Sequence, residues 1–100
     1  VQLAHISHLR QGLSQGDLLI DVREPYEFDS GHVRGAINIP LSQLANKLPT
    51  IPLSKRIFVI CASGSRSMEA AKFLSLRGYE ALSVANGTSG WAAAGMPLTA

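Results

Sequence analysis

One cysteine, Cys61, occurs among the 100 residues. An internal disulfide is therefore impossible, and there is no CxxC redox pair and no multi-Cys zinc site. Aromatic residues make up only 6% of the chain, and the nine basic residues are scattered from Arg10 to Arg77 without a run. Nucleic-acid binding requires a basic stripe or interleaved aromatics, and neither is present. No apolar run approaches the ~20 residues of a membrane helix, so no membrane contact is visible in the sequence. The first ten residues hold no basic cluster leading into an apolar stretch and do not read as a signal peptide. A lone thiol without a targeting segment makes the cytoplasm the expected location.

What is present is an ordinary globular balance, 46% hydrophobic and 16% charged, with a net charge of +2. A chain of this length is expected to form one domain, residues 1–100, and a monomer. The weakly basic balance suits a small anionic substrate slightly better than an acidic one would.

Nearly continuous apolar runs of strand length occupy Leu18–Val22, Ala36–Ile39, Ile57–Cys61 and Ala81–Ala85, and Leu3–Ile6 adds a short edge strand. Continuous rather than alternating runs belong to strands covered on both faces. Helical patterns lie between them. Ser7 is the expected N-cap of a helix through Leu13, and Glu24–Ser30, with Pro25 early and Gly31 as its stop, forms a brief second one. Leu41–Lys47 follows Pro40, Ser65–Arg77 is the clearest helix, and a last turn covers Ser89–Ala94. The alternation predicts an α/β fold, a five-stranded mostly parallel sheet flanked by helices on both faces. Ligands in such sheets bind at the carboxyl ends of the strands, which singles out Asp21-Val22-Arg23 and Cys61.

The run Ile57–Cys61 delivers the thiol to a strand end, and Ala62, Ser63, Gly64 and Ser65 turn directly into the long helix. Small side chains let the backbone curl so that its N–H groups point inward, and Gly64 supplies angles closed to other residues. A nest of donors beside a helix N-terminus attracts anions. That setting, with Arg66 nearby, is expected to lower the Cys61 pKa and to hold a persulfide or an incoming oxyanion. The hydroxyls of Ser63, Ser65 and Ser67 are further candidate donors.

This pattern resembles the rhodanese family, whose active loop C-x-x-G-x-R is matched by Cys61-Ala62-Ser63-Gly64-Ser65-Arg66. Leu19 to Phe28, then Gly31-His32-Val33 to Pro40, look like the family's first signature, and Asn86-Gly87 through Trp91 to Pro97 is similar to its closing one. The resemblance implies a rhodanese-like domain over the whole chain and a sulfurtransferase. Its expected donor is thiosulfate, and its acceptor cyanide, a small thiol or a protein thiol. Cys61 is then the persulfide carrier, residues 62–67 bind substrate, and Asp21 and Arg23 support the loop by an ion pair or hydrogen bonds. No cofactor is required. Many members carry Arg where this chain has Ala62, which removes one positive charge and weakens the expected preference for thiosulfate. Asn86 replaces the first of two glycines in the closing signature, and Asn tolerates left-handed angles.

Other residues have plainer readings. Glu24 and Glu27 are expected to cap and solvate the short helix, His32 to hydrogen-bond the loop after it, and Trp91 to pack in the core or at its rim. His5 and His8 read as surface residues. No second ligand sits at a convincing spacing, so no metal is expected. A cysteine phosphatase or arsenate reductase remains an alternative, but those loops hold five residues between Cys and Arg, whereas this one holds four. A noncatalytic binding module, or a persulfide carrier that docks to one protein partner, is the other alternative.

Overall fold

The apolar runs pair into a single parallel sheet in a computed structural model describing residues 1–100. Its strands are β1 (Gln2–Ala4), β2 (Leu18–Asp21), β3 (Ile37–Asn38), β4 (Ile57–Ile60) and β5 (Ala81–Val84), in the order β1-β5-β4-β2-β3. All four pairings are parallel, where a mostly parallel sheet was expected. Both edges are short, two or three residues each, which limits unpaired backbone.

The helices are α1 (Ile6–Ser14), α2 (Pro25–Asp29), α3 (Leu44–Lys47), α4 (Ser65–Ser75) and α5 (Gly87–Ala93). Side-chain alternation along β4 divides the core in two. Ile57, Val59 and Cys61 join Ile20, Val22, Leu44, Ala70, Ala71 and Leu74 on the face covered by α3 and α4. Phe58 and Ile60 join Leu9, Leu19, Val84 and Trp91 on the face covered by α1 and α5. The four side chains of β4 are 1% exposed or less. Each such burial contributes about 1.5–3 kcal/mol, so the strand leading to Cys61 is firmly anchored.

Three local expectations change. The N-cap of α1 is His5 rather than Ser7, its Nδ1 accepting from the Ser7 amide at 3.2 Å. Ile6, Leu9 and Leu13 pack together against the sheet, which starts the helix before Ser7. The segment Leu41–Lys47 is helical only from Leu44, with 3₁₀ turns at Leu41–Gln43 and Leu48–Thr50 on either side. Pro49 has no N–H to continue an α-helix. The last helix begins at Gly87 rather than Ser89, behind Asn86 at φ 64°. The left-handed angle that Asn tolerates is the one it adopts.

Candidate functional site

At the end of β4 the chain passes through Cys61–Gly64 and enters α4. Gly64 takes φ 115°, and this turn brings its own N–H to 3.1 Å from Cys61 Sγ. One helical turn on, the Ser67 N–H lies 3.3 Å from the same sulfur and the Ser67 hydroxyl 3.5 Å from it. Burial pushes the Cys61 thiol up, but the Ser67 hydroxyl and the Ser67, Gly64 and Ser63 amides outweigh it, leaving the pKa below that of an ordinary thiol. Two amide N–H groups aimed at one sulfur, with a hydroxyl in contact beside them, form an anion cradle, the arrangement that favours thiolate. The residue is 1% exposed, so the sulfur meets only a ligand that enters the loop.

The loop is held from behind by α5. The Thr88 and Ser89 N–H groups donate to the carbonyls of Cys61 and Ala62 at 2.8 and 3.0 Å. Gly87, at φ 54°, permits this approach, because a Cβ there would overlap the Cys61 and Ala62 carbonyl oxygens. Ser67 in turn lies 2.7 Å, oxygen to oxygen, from the hydroxyl of Ser83 on β5.

Several expected roles fall differently. Arg66 does not reach the sulfur. Its guanidinium donates to both carboxylate oxygens of Glu27 on α2, at 2.7 and 2.9 Å, a fork that a planar guanidinium makes better with a carboxylate than with a thiolate. The Arg66 bond holds the Glu27 carboxyl down at about 2, and the same bond raises the arginine pKa. Glu27 is thus more than a cap, although it does accept from the Glu24 N–H at 3.0 Å. Ser63 and Ser65 are exposed and neither hydroxyl bonds the sulfur, so Ser67 is the one of the three whose hydroxyl contacts it.

Asp21 and Arg23 form the expected ion pair, 2.8 Å apart and nearly sealed from solvent. Neither side chain bonds the cysteine loop. Arg23 instead donates to the Gly31 carbonyl at 2.9 Å, bracketing α2 and so placing Glu27. Asn38 clamps the same turn through the carbonyls of Asp21 and Arg23. His32 has the structural role expected of it, its Nδ1 lying 2.8 Å from the Phe28 carbonyl and its ring stacked on Phe28. Trp91 is core, with Nε1 donating to the Pro97 carbonyl.

The sequence reading missed Ser83, Gly87 and Thr88 and the partner of Glu27. The parity of β5 was the available signal for Ser83, since it shares a face with Ala81, opposite Leu82 and Val84. No group of three or more His, Cys, Asp or Glu side chains is placed to hold a metal, and no helix is long and apolar enough to cross a membrane.

Comparison with known proteins identifies the family and the fold. The model of the rhodanese-like domain family matches residues 6–94. The chain is 32% identical to a sulfurtransferase of Allochromatium vinosum over 84 residues, 83% of this chain and 78% of that one. It is 48% identical over 60 residues to the uncharacterized protein YqhL of Bacillus subtilis, 60% of this chain and about half (48%) of that one. A crystal structure of a rhodanese-related protein from Thermoplasma volcanium superposes with a TM-score of 0.92 at 33% identity, covering 99% of this chain and 98% of the other.

Proposed function

The chain belongs to the rhodanese-like family of sulfurtransferases, and on that premise we propose that Cys61 carries a sulfane sulfur as a persulfide between a donor and a thiophilic acceptor. The observation that carries this reading is the convergence of two amides and one hydroxyl on Sγ. In the first half-reaction the Cys61 thiolate attacks the outer sulfur of thiosulfate. The new S–S bond forms as the old one breaks, and sulfite leaves with the electron pair. In the second, cyanide or a thiolate attacks the terminal persulfide sulfur, takes it up, and regenerates the Cys61 thiolate. Dividing one transfer into two displacements is the gain from covalent catalysis.

The loop of residues 62–67 binds the anion through its N–H groups, which stabilise negative charge on either the thiolate or the persulfide. Four residues between Cys61 and Arg66 suit a single sulfur better than a phosphate, whose oxygens require the longer loop, and this favours sulfur transfer over phosphatase chemistry. Arg66 adds a weaker field than an unpaired guanidinium would, because Glu27 partly neutralises it. With Ala62 in place of a second cation, the site has little to hold a dianion, so a protein or low-molecular-weight persulfide is a better donor than thiosulfate. The transfer needs no cofactor.

The test is steady-state turnover with thiosulfate and cyanide, and with a small-molecule persulfide and a thiol, following thiocyanate, sulfite or sulfide. Parallel double-reciprocal lines with loss of all turnover in Cys61→Ser are expected. Intersecting lines, or activity retained by Cys61→Ser, contradict the mechanism.

A further inference from the structure

Behind the groups that surround Sγ, the hydrogen-bond chain continues from Ser67 and ends at Ser83 on β5. Ser67 and Ser83 are both fully buried, and their hydroxyl oxygens lie 2.7 Å apart. Ser83 Oγ has no other partner, so its single proton has one acceptor, Ser67 Oγ. A buried O–H without an acceptor is costly, which fixes the direction of this bond. Ser67 then keeps its own proton for one of two acceptors, the Gly64 carbonyl at 3.1 Å or Cys61 Sγ at 3.5 Å. The Gly64 carbonyl also accepts from the Met68 N–H at 3.2 Å and stays satisfied when Ser67 turns away.

We propose that Ser83 is a positioning residue that, by donating to Ser67, commits the Ser67 proton to the sulfur whenever Cys61 is a thiolate or persulfide. In the thiol state Sγ–H points to Ser67 Oγ and Ser67 donates to Gly64. When the thiol proton leaves to solvent, Ser67 rotates its O–H onto the anion, and Ser83 prevents the competing arrangement in which Ser67 donates away from the sulfur, to β5. Hydrogen bonds in such a chain strengthen one another, so Ser83 acts on the sulfur without touching it. The proposal rests on the reading of Cys61 as the reacting thiolate. The charged groups nearest the loop are already committed elsewhere: Arg66 of α4 to Glu27 of α2, and Asp21 at the end of β2 to Arg23. Neither β5 nor α5 holds a charged residue.

The experiment is a thiolate titration by ultraviolet absorbance of the reduced protein, without any sulfur donor, on wild type, Ser83→Ala, Ser67→Ala and the double variant. Because no turnover is read, failure of the transferase reading leaves it unaffected. Ser83→Ala is expected to titrate at higher pH than wild type and Ser67→Ala at higher pH still, while Ser83→Ala adds nothing in the Ser67→Ala background. Alkylation of Ser83→Ala at mildly acidic pH is expected to be about threefold slower, converging with wild type in alkali as both become thiolate. An unchanged titration in Ser83→Ala, whatever its melting temperature, overturns the proposal. So does an equal shift in both backgrounds, which would mean that Ser83 does not act through Ser67.

Discussion

Strands β2 and β4 lie side by side with Asp21 opposite Ile60, yet they end in opposite ways. At the end of β2 two full charges, Asp21 and Arg23, are buried and bonded to each other. At the end of β4 a single small thiol is ringed by two amides and a hydroxyl, all uncharged. The charged end is spent largely on itself, because Arg23 directs its Nε and Nη2 to Asp21 and Gly31. Under the proposed function the uncharged end holds an anion through dipoles that need no counter-ion to be desolvated. Full charge in this molecule fixes the shape of the loop carrying Glu27, and oriented dipoles surround the sulfur.

The comparison can be broken first at the charged end. Arg23→Ala leaves Asp21 buried without its partner, and about 3–5 kcal/mol of stability is expected to be lost. Denaturant unfolding measures this, and a loss below 1 kcal/mol would mean that the pair scaffolds nothing. Next is the support behind the uncharged end. Gly87→Ala puts a Cβ against the Cys61 and Ala62 carbonyls at a left-handed φ, at a cost of about 1–3 kcal/mol. Its sulfur-transfer rate should fall by more than the folded fraction does, as rates normalised to folded protein will reveal.

A smaller effect sharpens the contrast. Glu27→Gln weakens the hold on Arg66 and leaves more positive charge near the loop. The kcat/KM for thiosulfate is expected to rise about two- to fivefold, with less change for an uncharged donor. Equal effects on both donors would show that Arg66 does not sense substrate charge.

The smallest effect concerns pH. Glu27 titrates at about 2 in the folded chain instead of an ordinary 4.5. A depressed carboxyl stabilises the fold above the unfolded pKa, and that contribution is lost as pH falls from about 4.5 towards 2. Partial exposure of both partners keeps it near 1 kcal/mol or less. Stability curves of wild type and Glu27→Gln should therefore converge below pH 4.5, and curves that stay parallel would contradict the pairing.

The sequence made the uncharged end more legible than its surroundings. An apolar strand, a stretch of small residues and a strong helix are local features, and they placed Cys61, Gly64 and the α4 N-terminus correctly. Continuous runs of apolar residues likewise announced the buried strands of a parallel sheet. Partners distant in sequence were hidden. Arg66 meets Glu27 across 39 positions, and Ser67 meets Ser83 across 16. Both contacts depend on the strand order, which places β5 and β2 on either side of β4. Neighbourhood in sequence suggested that Arg66 serves the sulfur, whereas the fold presents it with a better acceptor. His5 was missed as a cap because Ser is the commoner choice, while the packing of Ile6 decided where α1 starts.

Intact mass shows whether the sulfur of Cys61 carries the transferred atom. Reduced wild type and Cys61→Ser are incubated with thiosulfate or a small persulfide, weighed, treated with thiol and weighed again. A gain of about 32 Da in wild type alone, removed by thiol, is the predicted persulfide. No gain with any sulfane donor on folded, reduced protein, or the same gain in Cys61→Ser, would contradict it.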